Sequence, residues 1–167
     1  SIAREAGDRL DILVAPTVSY AVSPHHMAFK GTVALSPSTL IKVVEDIVKS
    51  LVTHGFRRVL FVNGHGGNVV PLQTAFQQLK DQNIPGYFEA ISWYMDSEVK
   101  RLCREAFGDN EGLHATPSEV SITKYLRPAA FSGKAVVEIE VEKPTYYWPL
   151  SATEMKRVFP DGRMQSA

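Results

Sequence analysis

The sequence predicts an α/β protein with a mainly parallel sheet, because apolar strand-like runs alternate with amphipathic helical stretches. The clearest strand is residues 58–63, a continuous β-branched and apolar run of the kind found where both faces of a sheet are covered. A helical pattern lies on each side of it, one between Ser36 and Gly55 and one after the glycine-rich turn. Strands joined through helices require crossover connections, so neighbouring strands are expected to be parallel.

The helix before this strand has clear start and stop signals. Ser36 is a suitable N-cap, Pro37 fits the first helical position, and Gly55 can adopt the left-handed conformation that ends a helix. Between them one apolar stripe recurs at helical spacing: Leu40, Val43, Val44, Ile47, Val48 and Leu51.

The other elements are predicted from shorter runs. Residues 11–15 are apolar and are closed by Pro16, which predicts a buried strand. The remaining predicted elements are a helix with Leu72, Ala75, Phe76 and Leu79 on one face, a strand at 87–93, helices at 96–107 and 117–126, and a half-exposed strand at 135–141.

The composition excludes several classes of partner. Lys and Arg number 18, as do Asp and Glu, so no basic excess attracts nucleic acid or an anionic membrane surface. No apolar run approaches the ~20 residues that span a bilayer. The single cysteine, Cys103, cannot form an intrachain disulfide, which favours a reducing compartment. We therefore expect a cytoplasmic protein without nucleic-acid or membrane partners.

A glycine-rich turn, Gly64–Asn68, follows the clearest strand. In an open parallel sheet, ligands bind beyond the carboxyl ends of the strands, so His65 lies where an active site is expected. Neutral imidazole is the commonest protein metal ligand, and the neighbouring glycines allow a close approach. Two alternatives remain: a turn that binds phosphate through its backbone amides, or a purely structural turn. The segment matches neither the dinucleotide fingerprint nor the P-loop.

Histidines occur at two further candidate positions. His114 precedes the segment Thr116–Glu119, in which Glu119 can cap its own helix, point toward a neighbouring loop, or do both. His25 and His26 lie in a loop of about twenty residues, and loops of that length are usually functional. Adjacent histidines are poorly placed to share one ion, so we expect them to bind substrate, to carry protons or to be surface residues.

Three segments together resemble the creatininase family of amidohydrolases. Val62–Asn68 resembles the family signature V-N-G-H-G-G-N, and His25–Ser36 resembles H-H-x-x-F-P-G-T-x-x-L-S, with Lys30 in the place of the proline. His114–Ser121 resembles H-A-G-E-x-E-T-S. The resemblance covers nearly the whole chain, closely over residues 11–126 and loosely in the tail.

The resemblance implies a three-layer α/β/α sandwich, assembled as a homo-hexamer, that hydrolyses a small cyclic amide or formamide. It implies a divalent ion as cofactor, zinc first and manganese or iron as alternatives, which activates water for attack on the carbonyl carbon. His65 is implied as a metal ligand, Glu119 as a second ligand or as the group that holds the water, and His114 as the proton shuttle. The implied substrate-binding residues are His25, His26, Asn63, Gly66, Gly67 and Asn68.

The chain also departs from the family pattern. The family's first ligand turn, which resembles G-S-x-E-Q-H-G-P-H-L-P-x-x-T-D, belongs before residue 11, and nothing like it occurs here. We therefore interpret residues 1–167 as a single creatininase-like domain and as a fragment without the first strand and the N-terminal ligands. Because a catalytic zinc usually has three protein ligands, the alternative function is a non-catalytic scaffold that has lost its metal site. Gly67 replaces a glutamate of creatinine-opening members, which disfavours creatinine as substrate.

Overall fold

The structure is a computed structural model that describes residues 1–112, 116–131 and 149–160. The chain divides into two compact units, one of Ser1–Met27 with Gly31–Asp96 and the other of Ala28–Lys30 with Ser97–Ala167. The helices and strands of the described residues are α1 (Ile2–Leu10), α2 (Pro37–Thr53), β1 (Arg58–Asn63), α3 (Val69–Asp81), β2 (Tyr87–Ser92), α4 (Ser97–Phe107), α5 (Pro117–Leu126) and α6 (Ala152–Val158). None of the helices in these ranges combines the length and the apolar character needed to cross a membrane.

The first unit is built on a parallel pair of strands, β1 and β2. Their register places Arg58 opposite Tyr87 and Asn63 opposite Ser92. Parallel neighbours require a crossover, and α3 provides it. Since both strands run the same way, Asn63 and Ser92 lie at the same edge of the sheet. The predicted α/β class with a parallel sheet is confirmed.

Helices α2 and α3 pack against each other and build one apolar core with the strands. Its buried side chains are Val22, Leu40, Val44, Val48, Leu72, Ala75, Leu79 and Phe88. Val59 and Phe61 of β1 pack against this core, whereas Leu60 between them is 54% exposed. Successive strand residues point to opposite faces, so the described residues cover the face of Val59 and Phe61 and leave the face of Leu60 largely exposed, contrary to the expectation that both faces are covered.

Helix α2 has the predicted boundaries. The Ser36 hydroxyl accepts a hydrogen bond from the Thr39 amide at 3.1 Å, and Pro37 is the first helical residue. Gly55 follows the helix in a left-handed conformation, with a φ of +93°. The start and the end of α2 therefore depend on interactions among residues that are neighbours in the sequence.

Residues 11–15 do not form the predicted buried strand. Asp11 is instead the C-terminal cap of α1, in a left-handed conformation with a φ of 52°, and the Ile12 amide donates to the Gly7 carbonyl at 3.1 Å. The chain then continues without regular structure, and Leu13 is 84% exposed. A strand forms only where another strand pairs with it, and neither β1 nor β2 pairs with residues 11–15.

The second unit is described by its own helices. Helices α4 and α5 occur at the predicted positions, whereas α6 was not predicted because it is short. In α6 the Ser151 hydroxyl accepts from the Glu154 amide at 3.3 Å, and buried Met155 packs near Phe159 in a small apolar cluster. The strand predicted at 135–141 lies outside the described residues.

Candidate active site

The turn that follows β1 is organised by the side chain of Asn63. This residue is 5% exposed, and its Nδ2 donates to the His65 carbonyl at 2.9 Å and to Ser92 Oγ at 3.0 Å. Its Oδ1 accepts from the His65 amide at 3.1 Å and from Asn68 Nδ2 at 3.2 Å. The last residue of β1 therefore ties the turn to itself and to the end of β2.

His65 contacts the loop that precedes α2. Its Nε2 lies 3.0 Å from the Val22 carbonyl oxygen and 3.0 Å from Ser23 Oγ. Asn68 contacts the same loop, because its Oδ1 accepts from the Val22 amide at 3.0 Å. The turn thus binds both polar groups of the Val22 main chain, and it holds the long loop beside the end of the sheet.

The two loop histidines lie next to His65. His25 and His26 belong to a short 3₁₀ helix, Pro24–His26, with ring centroids 4.1 Å apart. The ring of His25 is 6.2 Å from that of His65 and nearly parallel to it, and the ring of His26 is 6.5 Å away. The fold therefore brings His25 and His26 close to His65, about forty positions away in the sequence. The role of the two loop histidines in substrate binding stays a prediction.

The two central glycines of the turn differ in how much space surrounds them. A Cβ on Gly67 would overlap the Val22 carbonyl oxygen and would lie 2.8 Å from His65 Nε2. A Cβ on Gly66 would meet nothing closer than Tyr94 Oη, at 3.7 Å. Gly67 is therefore required by the close approach of the loop, whereas a Cβ on Gly66 would make only an ordinary van der Waals contact.

Two aromatic residues near the turn were not selected from the sequence. Trp93 and Tyr94 follow β2 directly, and their rings meet edge to face with centroids 5.8 Å apart. Trp93 Nε1 would lie 3.8 Å from a Cβ on Gly64. The sequence signal that could have identified them is their position directly after a strand, since side chains at that edge of a parallel sheet surround a ligand site.

Glu119 makes the local contacts of a helix cap. Its Oε2 accepts from the Thr116 amide at 3.1 Å, and its own amide donates to Thr116 Oγ1 at 3.3 Å. The capping alternative raised by the sequence is therefore present in the structure, and a further role as metal ligand stays a prediction. Ser118 is buried, and its hydroxyl donates to the Glu111 carboxylate. His114 lies outside the described residues.

The number of metal-ligating side chains decides whether the described residues can bind a metal ion by themselves. No group of three or more His, Cys, Asp or Glu side chains able to bind a metal ion occurs in residues 1–112, 116–131 and 149–160. A catalytic zinc usually has three protein ligands and an open position. The described residues alone therefore do not fit a complete metal site, although His65 retains a ring nitrogen that could serve as one ligand.

Comparison with known proteins gives matches along the whole chain. A family model named Creatininase and described as creatinine amidohydrolase matches residues 1–167. Over 117 residues the chain is 37% identical to the mycofactocin precursor peptide peptidase of Mycobacterium tuberculosis, which covers 70% of this chain and 40% of that protein. It is 26% identical over 142 residues to the creatinine amidohydrolase of Pseudomonas putida, which covers 77% of this chain and 55% of the relative.

The fold is matched as well. A solved structure named "Creatininase Mn" superposes with a TM-score of 0.70 at 25% identity, over 99% of this chain and 70% of the other. The chain spans about half the length of the curated relatives, 40% of one and 55% of the other.

Proposed function

The chain belongs to the creatininase family, and we propose that it acts in metal-dependent hydrolysis of an amide C–N bond. The observation that carries this proposal is the histidine cluster at the carboxyl end of β1. His65 lies on the turn there, and the rings of His25 and His26 are 6.2 and 6.5 Å from its ring. Such a cluster of ring nitrogens at this edge of a parallel sheet is suited to binding a ligand and moving protons.

His65 is proposed as one metal ligand. The chemistry that a divalent ion supplies is Lewis-acid activation of water and of the substrate carbonyl. Zinc is our first candidate, with manganese and iron as alternatives, and manganese appears in the name of the matched creatininase structure. Because the described residues do not complete a site, we assign no reaction step to the ion.

The other predicted residues have proposed roles of their own. His114 is proposed to deliver the proton to the leaving nitrogen. Glu119 is proposed as a second ligand or as the group that orients the water, in addition to the hydrogen bond that its Oε2 accepts from the Thr116 amide. His25, His26 and the polar groups of the turn, including Asn63, would orient the substrate.

The proposed substrate is a small cyclic amide or a formamide, in keeping with the name of the Pseudomonas putida relative. A peptide C–N bond is the second candidate, because the higher sequence identity, 37%, is to a peptide peptidase. Assembly as a homo-hexamer and a cytoplasmic location are further proposals. Sedimentation equilibrium and imaging of the tagged chain in its host would test them.

The decisive experiment measures metal content and hydrolysis on the same preparations. The full chain is stripped with a chelator, reloaded with zinc, manganese or iron(II), and assayed on creatinine, N-formyl compounds and short peptides. His65→Ala should lose the bound metal and lower the hydrolysis rate by at least about 100-fold. Loss of a residue that only hydrogen-bonds to a metal ligand costs up to about 100-fold, so loss of the ligand itself should cost no less. His54→Ala is the matched control, since His54 is exposed at the end of α2.

Two results would lead to a different function. A chain that binds no metal and hydrolyses none of these compounds would be a non-catalytic member of the family. A chain that is stabilised by a sugar phosphate or nucleotide, with no sensitivity to the chelator, would use the turn as a phosphate site through its backbone amides.

A further inference from the structure

A line of buried hydroxyl groups joins Glu119 to Glu111 at the start of α5. Thr116 and Ser118 are 8% and 7% exposed, and their hydroxyl oxygens lie 2.9 Å apart. Thr116 Oγ1 accepts from the Glu119 amide at 3.3 Å. The Ser118 hydroxyl donates to Oε1 of Glu111, and the Ser118 amide donates to Oε2 of the same carboxylate at 3.3 Å. Both oxygens of Glu111 therefore contact one residue, seven positions further along the chain.

The Glu111 carboxylate determines the direction of the hydrogen bonds in this line. An ionised carboxylate only accepts hydrogen bonds, so the hydrogen atom of the Ser118 hydroxyl points to Glu111. Because a hydroxyl group has one hydrogen atom, the contact between Thr116 and Ser118 then requires Thr116 to donate. The hydrogen atom of the Thr116 hydroxyl is thereby committed to Ser118, and it is not donated to the carboxylate of Glu119.

Helix α6 begins with the same kind of capping box, but there the hydroxyl hydrogen has a different acceptor. Ser151 Oγ donates to Glu154 Oε2 at 2.7 Å, and the Ser151 amide donates to the same oxygen at 2.8 Å. Glu154 therefore accepts two hydrogen bonds from its capping residue, whereas Glu119 accepts one, from the Thr116 amide at 3.1 Å. A carboxylate accepts about four hydrogen bonds in all, so each one made within the cap leaves one fewer for another donor.

We propose that Glu111 is a positioning residue, which draws the Thr116 hydroxyl into the line and so leaves the Glu119 carboxylate able to accept one hydrogen bond more than its counterpart in α6. The donor that would use this capacity is the attacking water molecule. This use rests on the proposed function, in which Glu119 orients the water. The direction of the hydrogen bonds between Thr116, Ser118 and Glu111 does not rest on it.

A crystal structure of the full Glu111→Ala chain tests the hydrogen-bond line. Without the carboxylate the Ser118 hydroxyl loses its acceptor, and we expect the Thr116 hydroxyl to donate to Glu119 instead, as in the capping box of α6. The distance from Thr116 Oγ1 to Glu119 Oε2 should then be about 2.8 Å. A Thr116 hydroxyl that still contacts Ser118 would overturn the proposal. Asp109→Ala, in the exposed turn before Glu111, is the matched control and should keep the wild-type arrangement.

The rate of hydrolysis of whichever compound the wild-type chain cleaves tests the role of the line in the reaction. Glu111→Ala should lower kcat about tenfold, the effect of about one hydrogen bond, and should change KM by less than about twofold. Thr116→Val removes the competing hydroxyl at nearly the same volume, so the double variant of both substitutions should recover most of the lost kcat. A purely structural role predicts the opposite, because Thr116→Val also removes a helix cap. A further loss of kcat in the double variant would therefore contradict the proposal.

Ser118→Ala keeps the test valid if Glu111→Ala does not fold. It removes the acceptor of the Thr116 hydroxyl without adding volume, so it should lower kcat in the same way while circular dichroism shows a folded chain. An unchanged kcat in that folded variant would count against the proposal.

Failure of the proposed function has a different signature. If the wild-type chain cleaves none of the compounds while the Thr116 hydroxyl turns to Glu119 in Glu111→Ala, the hydrogen-bond line stands and the role of Glu119 in hydrolysis is lost.

Discussion

Asn63 is the residue on which the geometry of the candidate site depends most. Its side chain is buried and makes four hydrogen bonds, two as donor and two as acceptor. Two of these involve the His65 backbone, one reaches Ser92 and one reaches Asn68. A buried amide with its partners in place stabilises one conformation, because any variant leaves several of those partners unsatisfied.

We expect Asn63→Ala to lower the free energy of unfolding by about 2–4 kcal/mol, because it leaves buried polar groups of the turn without partners. Urea denaturation measures this change. Ser92→Ala is the control, since it removes only the bond to Asn63 Nδ2, and it should cost about 1 kcal/mol. Equal losses for the two variants would show that Asn63 does not organise the turn.

Glu45 is a buried carboxylate in the contact between α2 and α3. Its Oε2 accepts from Lys42 Nζ at 2.7 Å, and its Oε1 accepts from Gln82 Nε2 at 3.3 Å. The hydrogen bond from Lys42 holds the pKa of Glu45 below its ordinary value of 4.5, against the opposing effect of burial. The ionised form is therefore the one that the fold favours.

The lowered pKa of Glu45 makes the free energy of unfolding depend on pH in the acid range. Since the folded-state pKa of Glu45 is lowered, its contribution is present above pH 4.5 and is lost as the pH falls through the folded-state pKa. Glu45→Gln should reduce the decline in the free energy of unfolding below pH 4.5, measured by urea denaturation at a series of pH values. Asp46→Asn, on the exposed side of the same helix, should keep the wild-type decline. An unchanged decline in Glu45→Gln would contradict this assignment.

At the scale of elements, the packing of α2 and α3 on the two strands forms the core of the first unit. Leu40, Val44 and Val48 of α2 share a core cluster with three buried residues of α3, Leu72, Ala75 and Leu79, and Phe88 of β2 belongs to the same cluster. This layer holds β1 and β2 in register, and hence it holds the edge where Asn63 and Ser92 meet. The stability of the core and the geometry of the candidate site are thus coupled through these two strands.

Leu79→Ala should lower the free energy of unfolding by about 2–5 kcal/mol, because Leu79 is 0% exposed and its loss leaves a cavity. Val70→Ala on the same helix is the matched control. Val70 is 69% exposed, and its truncation should change the free energy by no more than about 0.5 kcal/mol. Thermal or urea denaturation of both variants makes the comparison, and a small loss at Leu79 would place α3 outside the core.

At the scale of the whole molecule, membership of the creatininase family rests on a match over residues 1–167. The matched fold of a creatininase structure, with a TM-score of 0.70, agrees with it. The described residues carry the histidine cluster of the turn, while a complete set of metal ligands is not found among them. Metal binding by the chain is therefore the property that most directly tests the proposed function.

Zinc should raise the melting temperature of the wild-type chain. A ligand that binds only the folded state at about 100 times its dissociation constant adds about 2.7 kcal/mol of stability. Calorimetry with and without zinc, followed by addition of a chelator, measures the shift and its reversal. His54→Ala should keep the shift and His65→Ala should lose it, whereas an equal shift in both variants would place the ion elsewhere.

Local signals in the sequence determined much of the fold and the position of the turn. Ser36, Pro37 and Gly55 mark the ends of α2, because capping and the left-handed conformation depend on a few neighbouring residues. The same holds for the capping box of Thr116 and Glu119. The glycine-rich turn after β1 was recognisable for the same reason, since its residues are contiguous in the chain.

Only the tertiary structure decided which distant residues meet. Residues 11–15 have the composition of a strand but lie exposed after α1, because pairing depends on a partner elsewhere in the chain. The approach of His25 to His65 and the contacts of Val22 with the turn likewise join segments about forty residues apart. The sequence determined that His65 lies on a turn at the end of a strand. The folded chain decided which ring nitrogen of His65 contacts the loop, because the Val22 carbonyl oxygen lies 3.0 Å from Nε2.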